Sequence, residues 1–269
     1  MKMENVKYSI LIVTLNAGRA LQKTIQSIER QNYQNYEVIV KDGCSDDDTF
    51  LYIPSDKRYR LIKNKDLNVY DGMNQAIELI DGDFTIFMNA GDRFYNESVL
   101  FQVDQFVSKN KLAGVCVLYG DYSRAGTYIK KQETCLSDFI LYRHSLCHQS
   151  IFYSSELFKS GLRYDISFKI CADHELTLRL WTKHVPFYHT GMVICDYEGE
   201  GLSESKSGME DAVKEKDLII RRYFSPKKRL YLRSLYFFTF PNLRKFLISK
   251  SSPAFIRNSY KKIRNFLTK

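Results

Sequence analysis

Over the first 120 residues the apolar positions recur with two alternating periods. Tyr8–Leu15 (YSILIVTL) is apolar at nearly every position, as in a strand covered on both faces. Leu21, Ile25 and Ile28 then fall at i, i+4 and i+7 with polar residues between them, which predicts an amphipathic helix. Tyr36–Val40 predicts a second strand and Tyr59–Ile62 a third. Met73, Ile77 and Ile80 form another helical stripe, with Gly82 where the helix stops. Phe84–Met88 predicts a fourth strand, Val99–Val107 a helix, and Val115–Tyr119 a fifth strand. Strands alternating with helices of this length predict an α/β protein with a mainly parallel sheet flanked by helices.

Beyond residue 120 the pattern loosens. Tyr128–Lys131 and Gln149–Tyr153 suit short strands, Leu157–Gly161 a helical turn, and Phe187–Cys195 a late strand. Leu176 and Leu180 stripe a helix that begins near Asp173, and Met209–Tyr223 predicts another. Open α/β sheets bind ligands in the crevice beyond the carboxyl ends of their strands. Three polar patches follow predicted strands: Thr14-Leu15-Asn16, Asp42-Gly43 and Asn89-Ala90-Gly91-Asp92. Distant in sequence, they are expected to converge on one edge of the sheet.

Charge changes the picture at one end only. The chain has 269 residues and a formal net charge of +9. Residues 221–269 hold 14 Lys and Arg and no Asp or Glu, while residues 1–220 hold 26 basic and 31 acidic side chains. This split predicts a mildly acidic globular part, 1–220, and a basic extension, 221–269. The six cysteines form no CxxC pair and no cluster with His at zinc spacing, so reduced thiols in the cytoplasm are expected. The N-terminal apolar segment lacks a small-residue cleavage site and reads as a first strand rather than a signal peptide.

The segments SILIVTLNAG, VIVKDGCSDDDT, NVYDGMNQAI, FTIFMNAGD, CHQSIF and ICADHELTLRLW resemble, in order and spacing, the family 2 glycosyltransferases. Bacterial members that build surface polysaccharides are the nearest in kind, and the likeness runs from about Tyr8 to Gly208. It implies a GT-A fold with a nucleotide-sugar half over about 1–120 and an acceptor half over about 121–220. It further implies a nucleotide-sugar donor, most often a UDP-sugar, a divalent cation (Mn²⁺ or Mg²⁺), and transfer to a saccharide or lipid-linked acceptor with inversion at the anomeric carbon.

Residue by residue, the resemblance implies that Asp42 accepts a hydrogen bond from a pyrimidine ring N–H. Read alone, Asp42 serves equally as a turn aspartate. Thr14, Leu15 and Asn16 are expected to line the nucleotide pocket. Asp71 and Asn74 are expected near ribose and phosphate, where the free N–H groups of a helix start favour anions. The family usually supplies a DxD or DxDD pattern where this chain has Asn89-Ala90-Gly91-Asp92. Asp92 is therefore the expected metal ligand and Asn89 a ribose contact, with Ala90 and Gly91 permitting close backbone approach. Asp173 matches the family's general base. Glu175 is a second candidate for that role, and His174 is expected on the helix surface. His148 and Gln149 either contact the donor sugar or diphosphate or brace the floor of the acceptor cleft. Glu198–Gly208, rich in Gly and Ser, is either a closing lid or an exposed loop.

In the extension, Lys and Arg alternate with Tyr, Phe and Leu, and no apolar run approaches the ~20 residues of a spanning helix. Such a segment suits peripheral contact with the anionic inner face of a membrane, and no nucleic-acid partner is expected. The thinned carboxylate motif also admits a catalytically inactive nucleotide-sugar-binding or scaffold protein of the same fold.

Overall fold

A computed structural model describes residues 5–112, 114–199 and 205–238, together with 253 and 258. Nine strands among these residues join in one sheet: β1 (Tyr8–Thr14), β2 (Tyr36–Asp42), β3 (Tyr59–Lys63), β4 (Phe84–Asn89), β5 (Arg93–Phe94), β6 (Val117–Arg124), β7 (Tyr128–Lys130), β8 (Ile151–Ser154) and β9 (Phe187–Tyr197). Their order is β3-β2-β1-β4-β8-β6-β9-β5, with β7 beside β6. The helices among these residues are α1 (Arg19–Glu29), α2 (Val69–Ile77), α3 (Val99–Lys109), α4 (Asp138–Arg143), α5 (Ser155–Lys159), α6 (Ala172–Thr182), α7 (Lys206–Tyr223) and α8 (Pro226–Phe238).

The β3-β2-β1-β4 half is parallel. Its register pairs Thr14 with Asp42 and Val13 with Asn89, so the carboxyl ends of β1, β2 and β4 align. The apolar runs that mark these strands are buried along most of their length, because helices cover both faces. Tyr8 sits at the centre of an aromatic group, edge-on to Tyr33 and Phe152. The other half is mixed: β8 is antiparallel to both β4 and β6, and β9 is parallel to β6.

Several bounds depart from the periodicity for local reasons. The fifth predicted strand begins at Val117 rather than Val115 and runs on to Arg124. The expected strand from Gln149 begins at Ile151, because His148–Ser150 form a turn of 3₁₀ helix. The two-residue β5 carries no apolar pattern of its own and exists by antiparallel pairing with Asp196 and Cys195 of β9.

Lys41 interrupts the apolar run of β2 and is fully buried. Its ammonium donates to the Asn64 carbonyl at 2.8 Å and to Asp66 Oδ2 at 2.6 Å. A buried charge needs such partners.

The chain divides into two compact units, Met1–Ile219 and Ile220–Lys269. In the second, Ser225 Oγ accepts from the Lys228 N–H and Pro226 follows it as the first residue of α8, a serine cap with proline at the first helical position. Most of the extension beyond Phe238 lies outside the described residues, as do residues 200–204 of the stretch read as either a lid or an exposed loop. No helix among the described residues is long and apolar enough to cross a membrane.

Candidate active site

Beyond the ends of β1 and β4 lies a cavity of about 640 Å³. Of the residues singled out in the sequence, Thr14, Leu15, Asn89, Ala90, Asp92, His148, Gln149 and Asp173 line it. Strand ends supply the first five and the start of α6 supplies Asp173. The His148–Ser150 turn, which enters β8 beside β4, supplies the other two.

Asp92 is 4% exposed. Its Oδ2 accepts from Gln149 Nε2 at 3.0 Å and its Oδ1 from the Glu198 N–H at 3.1 Å. Burial pushes its pKa up to about 6, against the pull of these hydrogen bonds. Gln149 thus orients Asp92. His148 Nδ1 has no partner, and burial pushes that imidazole down to about 4, so it is neutral at pH 7.

Asp173 Oδ1 accepts from the His174 N–H at 2.8 Å. The Tyr70 hydroxyl lies 2.6 Å from the Ile170 carbonyl and 3.3 Å from Asp173 Oδ1. Its single proton favours the nearer oxygen, which leaves Asp173 only weakly held from that side. Burial pushes the Asp173 carboxyl up to about 6. The loop before α6 is fastened from α7: Glu215 accepts from the N–H groups of Lys169, Ile170 and Cys171 at 2.7, 3.0 and 2.9 Å. A carboxylate at the head of a helix satisfies amides that the helix cannot, and here it fixes the segment that presents Asp173.

Four residues expected at the donor lie outside the cavity lining. Asp42 is fully buried, and its carboxylate accepts from Cys44 N, Ser45 N and Ser45 Oγ, so it holds the turn after β2. Asn16, in left-handed backbone, accepts from the Asp46 N–H and donates its own N–H to Ser45 Oγ, joining the turns after β1 and β2. Asp71 accepts from the Leu67 N–H and Gln75 Nε2, and Asn68 rather than Asp71 caps α2. The Asn74 amide exchanges two hydrogen bonds with the Tyr164 backbone.

Glu175 is buried in an ion pair with Arg179 at 2.9 Å and does not line the cavity. His174 corrects the expectation of a surface histidine. It is 1% exposed with neither ring nitrogen bonded, because α6 is buried around most of its circumference. The sequence reading missed Tyr70, Glu215 and Glu198. Tyr70 fell on an apolar helical stripe, and the other two find their partners only through long-range folding.

The residues fit a hard divalent cation in kind. Asp92 offers a carboxylate with lone pairs to spare, and the buried Asn89 Oδ1 beside it has no partner. Among the described residues no three His, Cys, Asp or Glu stand together at metal-binding range, so this chain alone offers a sparse set.

A parallel half-sheet and a mixed half-sheet meet at a carboxylate-bearing cavity, and family membership makes the chain a glycosyltransferase. The chain belongs to glycosyl transferase family 2, whose model matches residues 9–165. It is 29% identical over 180 residues to a "PGL/p-HBAD biosynthesis glycosyltransferase" of Mycobacterium tuberculosis, covering 65% of this chain and 70% of that protein. In fold it is similar to S. aureus TarS 1-349 in complex with UDP-GlcNAc (TM-score 0.65, 16% identity, 91% of this chain and 76% of that one). It spans 46% of a longer TarS structure. It is also similar to the mannosyltransferase PcManGT of Pyrobaculum calidifontis, in complex with GDP-Man and Mn²⁺ (TM-score 0.63, 11% identity, 100% and 82%).

Proposed function

We propose that this glycosyltransferase moves a sugar from a nucleotide-sugar, a UDP-sugar first among candidates, to a hydroxyl of a saccharide or lipid-linked acceptor in cell-surface polysaccharide synthesis. The single observation that carries the reading is the placement of Asp92 and Asp173, 81 positions apart in sequence, on one cavity. Asp173 takes the proton from the acceptor hydroxyl as its oxygen attacks the anomeric carbon. Its burial raises its basicity toward the working pH. Attack from the face opposite the leaving diphosphate inverts that carbon. Asp92, oriented by Gln149, and Asn89 hold a divalent cation, which when bound neutralises the charge of the departing diphosphate. Thr14 and Leu15 flank the nucleotide, while Asp42, Asn16, Asp71 and Asn74 act by keeping the surrounding turns in place. Residues 1–220 form the catalytic part in this reading.

The neighbours' bound UDP-GlcNAc and GDP-Man support a nucleotide-sugar donor, and the Mn²⁺ of one supports the cation. The test is thermal stabilisation across a panel of nucleotide-sugars with and without Mn²⁺, since a ligand bound by the folded state alone raises its melting temperature. The expected result is a shift with a UDP-sugar that grows when Mn²⁺ is present. No shift with any donor, with or without metal, removes the reading.

Peripheral membrane contact through residues 221–269 is supported by α8, where exposed Leu230, Tyr231 and Tyr236 are interleaved with Lys227, Lys228, Arg229 and Arg233. Each cationic side chain near an anionic surface is worth about 1 kcal/mol. The full chain is expected to sediment with phosphatidylserine vesicles at low salt, whereas a chain ending at residue 220 stays in solution. Equal sedimentation of the two refutes the anchor.

A further inference from the structure

We propose that Glu198 supplies the cavity with the carboxylate that the Asn89-Ala90-Gly91-Asp92 turn lacks, so that Asp92 and Glu198 hold the divalent cation together. This rests on the metal reading above and deepens it by naming a second protein ligand. Gly91 has a φ of 110°, and a Cβ placed on it would run into Glu198 Oε2. The Glu198 carboxylate therefore stands where an acidic side chain at position 91 would begin. Its position follows from the sheet. Arg93 of β5 pairs with Asp196 of β9, and the same antiparallel register carried two steps on sets Gly91 opposite Glu198, with Asp92 next to it. The Glu198 N–H closes the link to Asp92 Oδ1 at 3.1 Å. Lys23 Nζ holds Glu198 Oε1 at 2.6 Å, leaving Oε2 against the turn.

A separate observation points to a ligand here. Thr14 is 4% exposed and lines the same cavity as Asp92 and Glu198. Its hydroxyl, like the Asn89 amide oxygen, has no hydrogen-bond partner. Buried oxygens left without donors, in a cavity that two carboxylates also line, are groups that a hard oxygen-seeking cation or its bound water satisfies. With no third acidic, His or Cys side chain in reach among the described residues, the other coordination positions fall to the amide oxygen, water and the donor's diphosphate.

The experiment is a Mn²⁺ titration of the full chain in the presence of UDP, with free Mn²⁺ followed by its paramagnetic resonance signal and folding by circular dichroism. Glu198→Gln is expected to weaken Mn²⁺ binding by at least about tenfold, the lower end of what loss of an outer-shell partner costs a metal site. Its affinity for UDP without metal should not change. Lys23→Met breaks the same ion pair but keeps the carboxylate, and is expected to retain Mn²⁺ far better than Glu198→Gln. If Glu198→Gln binds Mn²⁺ as tightly as the wild type, the role of Glu198 falls while the cation at Asp92 stands. If Lys23→Met loses as much as Glu198→Gln, the ion pair is what matters, and the proposal is overturned. A wild-type chain that retains no Mn²⁺ with UDP overturns both readings. Should Glu198→Gln lose its native spectrum, Glu198→Asp carries the test: it keeps the charge, shortens the reach, and is expected to weaken Mn²⁺ binding measurably.

Discussion

Asp173→Asn is expected to bind UDP as the wild type does and to transfer sugar at least about a hundredfold more slowly, the usual contribution of a positioned general base. Calorimetry with UDP and turnover with a UDP-sugar, measured on the same preparation, separate the two effects. Unimpaired transfer would take the proton-accepting role from Asp173. The wild-type rate should climb with pH through an apparent pKa near 6, the value to which burial raises both Asp173 and Asp92.

The same burial has a consequence for stability. The folded-state pKa of Asp173 lies above its ordinary 3.8, so the native chain holds the proton more tightly than the unfolded one. The group costs nothing below about pH 4, and stability falls as pH rises to about 6. Asparagine has no charge to bury. In urea unfolding, Asp173→Asn should therefore gain on the wild type between pH 5 and pH 8. A gap that does not widen over that range contradicts the burial account.

Asp66→Ala is expected to destabilise the protein by about 3 kcal/mol, the lower end for breaking a buried pair from one side. Lys41 is wholly buried, whereas the Asp66 side chain is 16% exposed. Removing Asp66 strands an ammonium with only carbonyl partners, while Lys41→Met leaves a carboxylate that water can reach. The order of cost should be Asp66→Ala first and Lys41→Met well below it, with the double variant close to Lys41→Met. Urea midpoints for the three variants form a double-mutant cycle, and equal single costs would show that the burial asymmetry does not govern the pair.

The parallel half of the sheet was legible because a strand covered on both faces leaves an unbroken apolar run, as in Tyr8–Thr14 and Phe84–Met88. The parallel register then carries the strand ends to one edge, so the juncture of Thr14, Asn89 and Asp92 could be read from order alone. What a side chain does there could not. Asp42 ends its strand as a base-contacting residue would, yet Ser45, three positions on, takes up its carboxylate. His174 sits in a helix with too little polar surface to keep it outside. Lys41–Asp66, Glu215 with its three amides, and Glu198 at Gly91 are contacts closed by the tertiary fold, and no periodicity along the chain pairs one member with the other. Glu198 in particular lay in a Gly- and Ser-rich stretch that suggested a lid, while its partner Asp92 stood more than a hundred positions earlier.

Gly91 also bears on which neighbouring sequences evolution can reach. An acid placed at that position by a single exchange would demand left-handed backbone of a residue with a Cβ and would meet the Glu198 carboxylate. The Glu198 carboxylate is the far end of a flexible, partly exposed side chain, so it can swing aside, and the lasting obstacle to an acid at position 91 is the backbone.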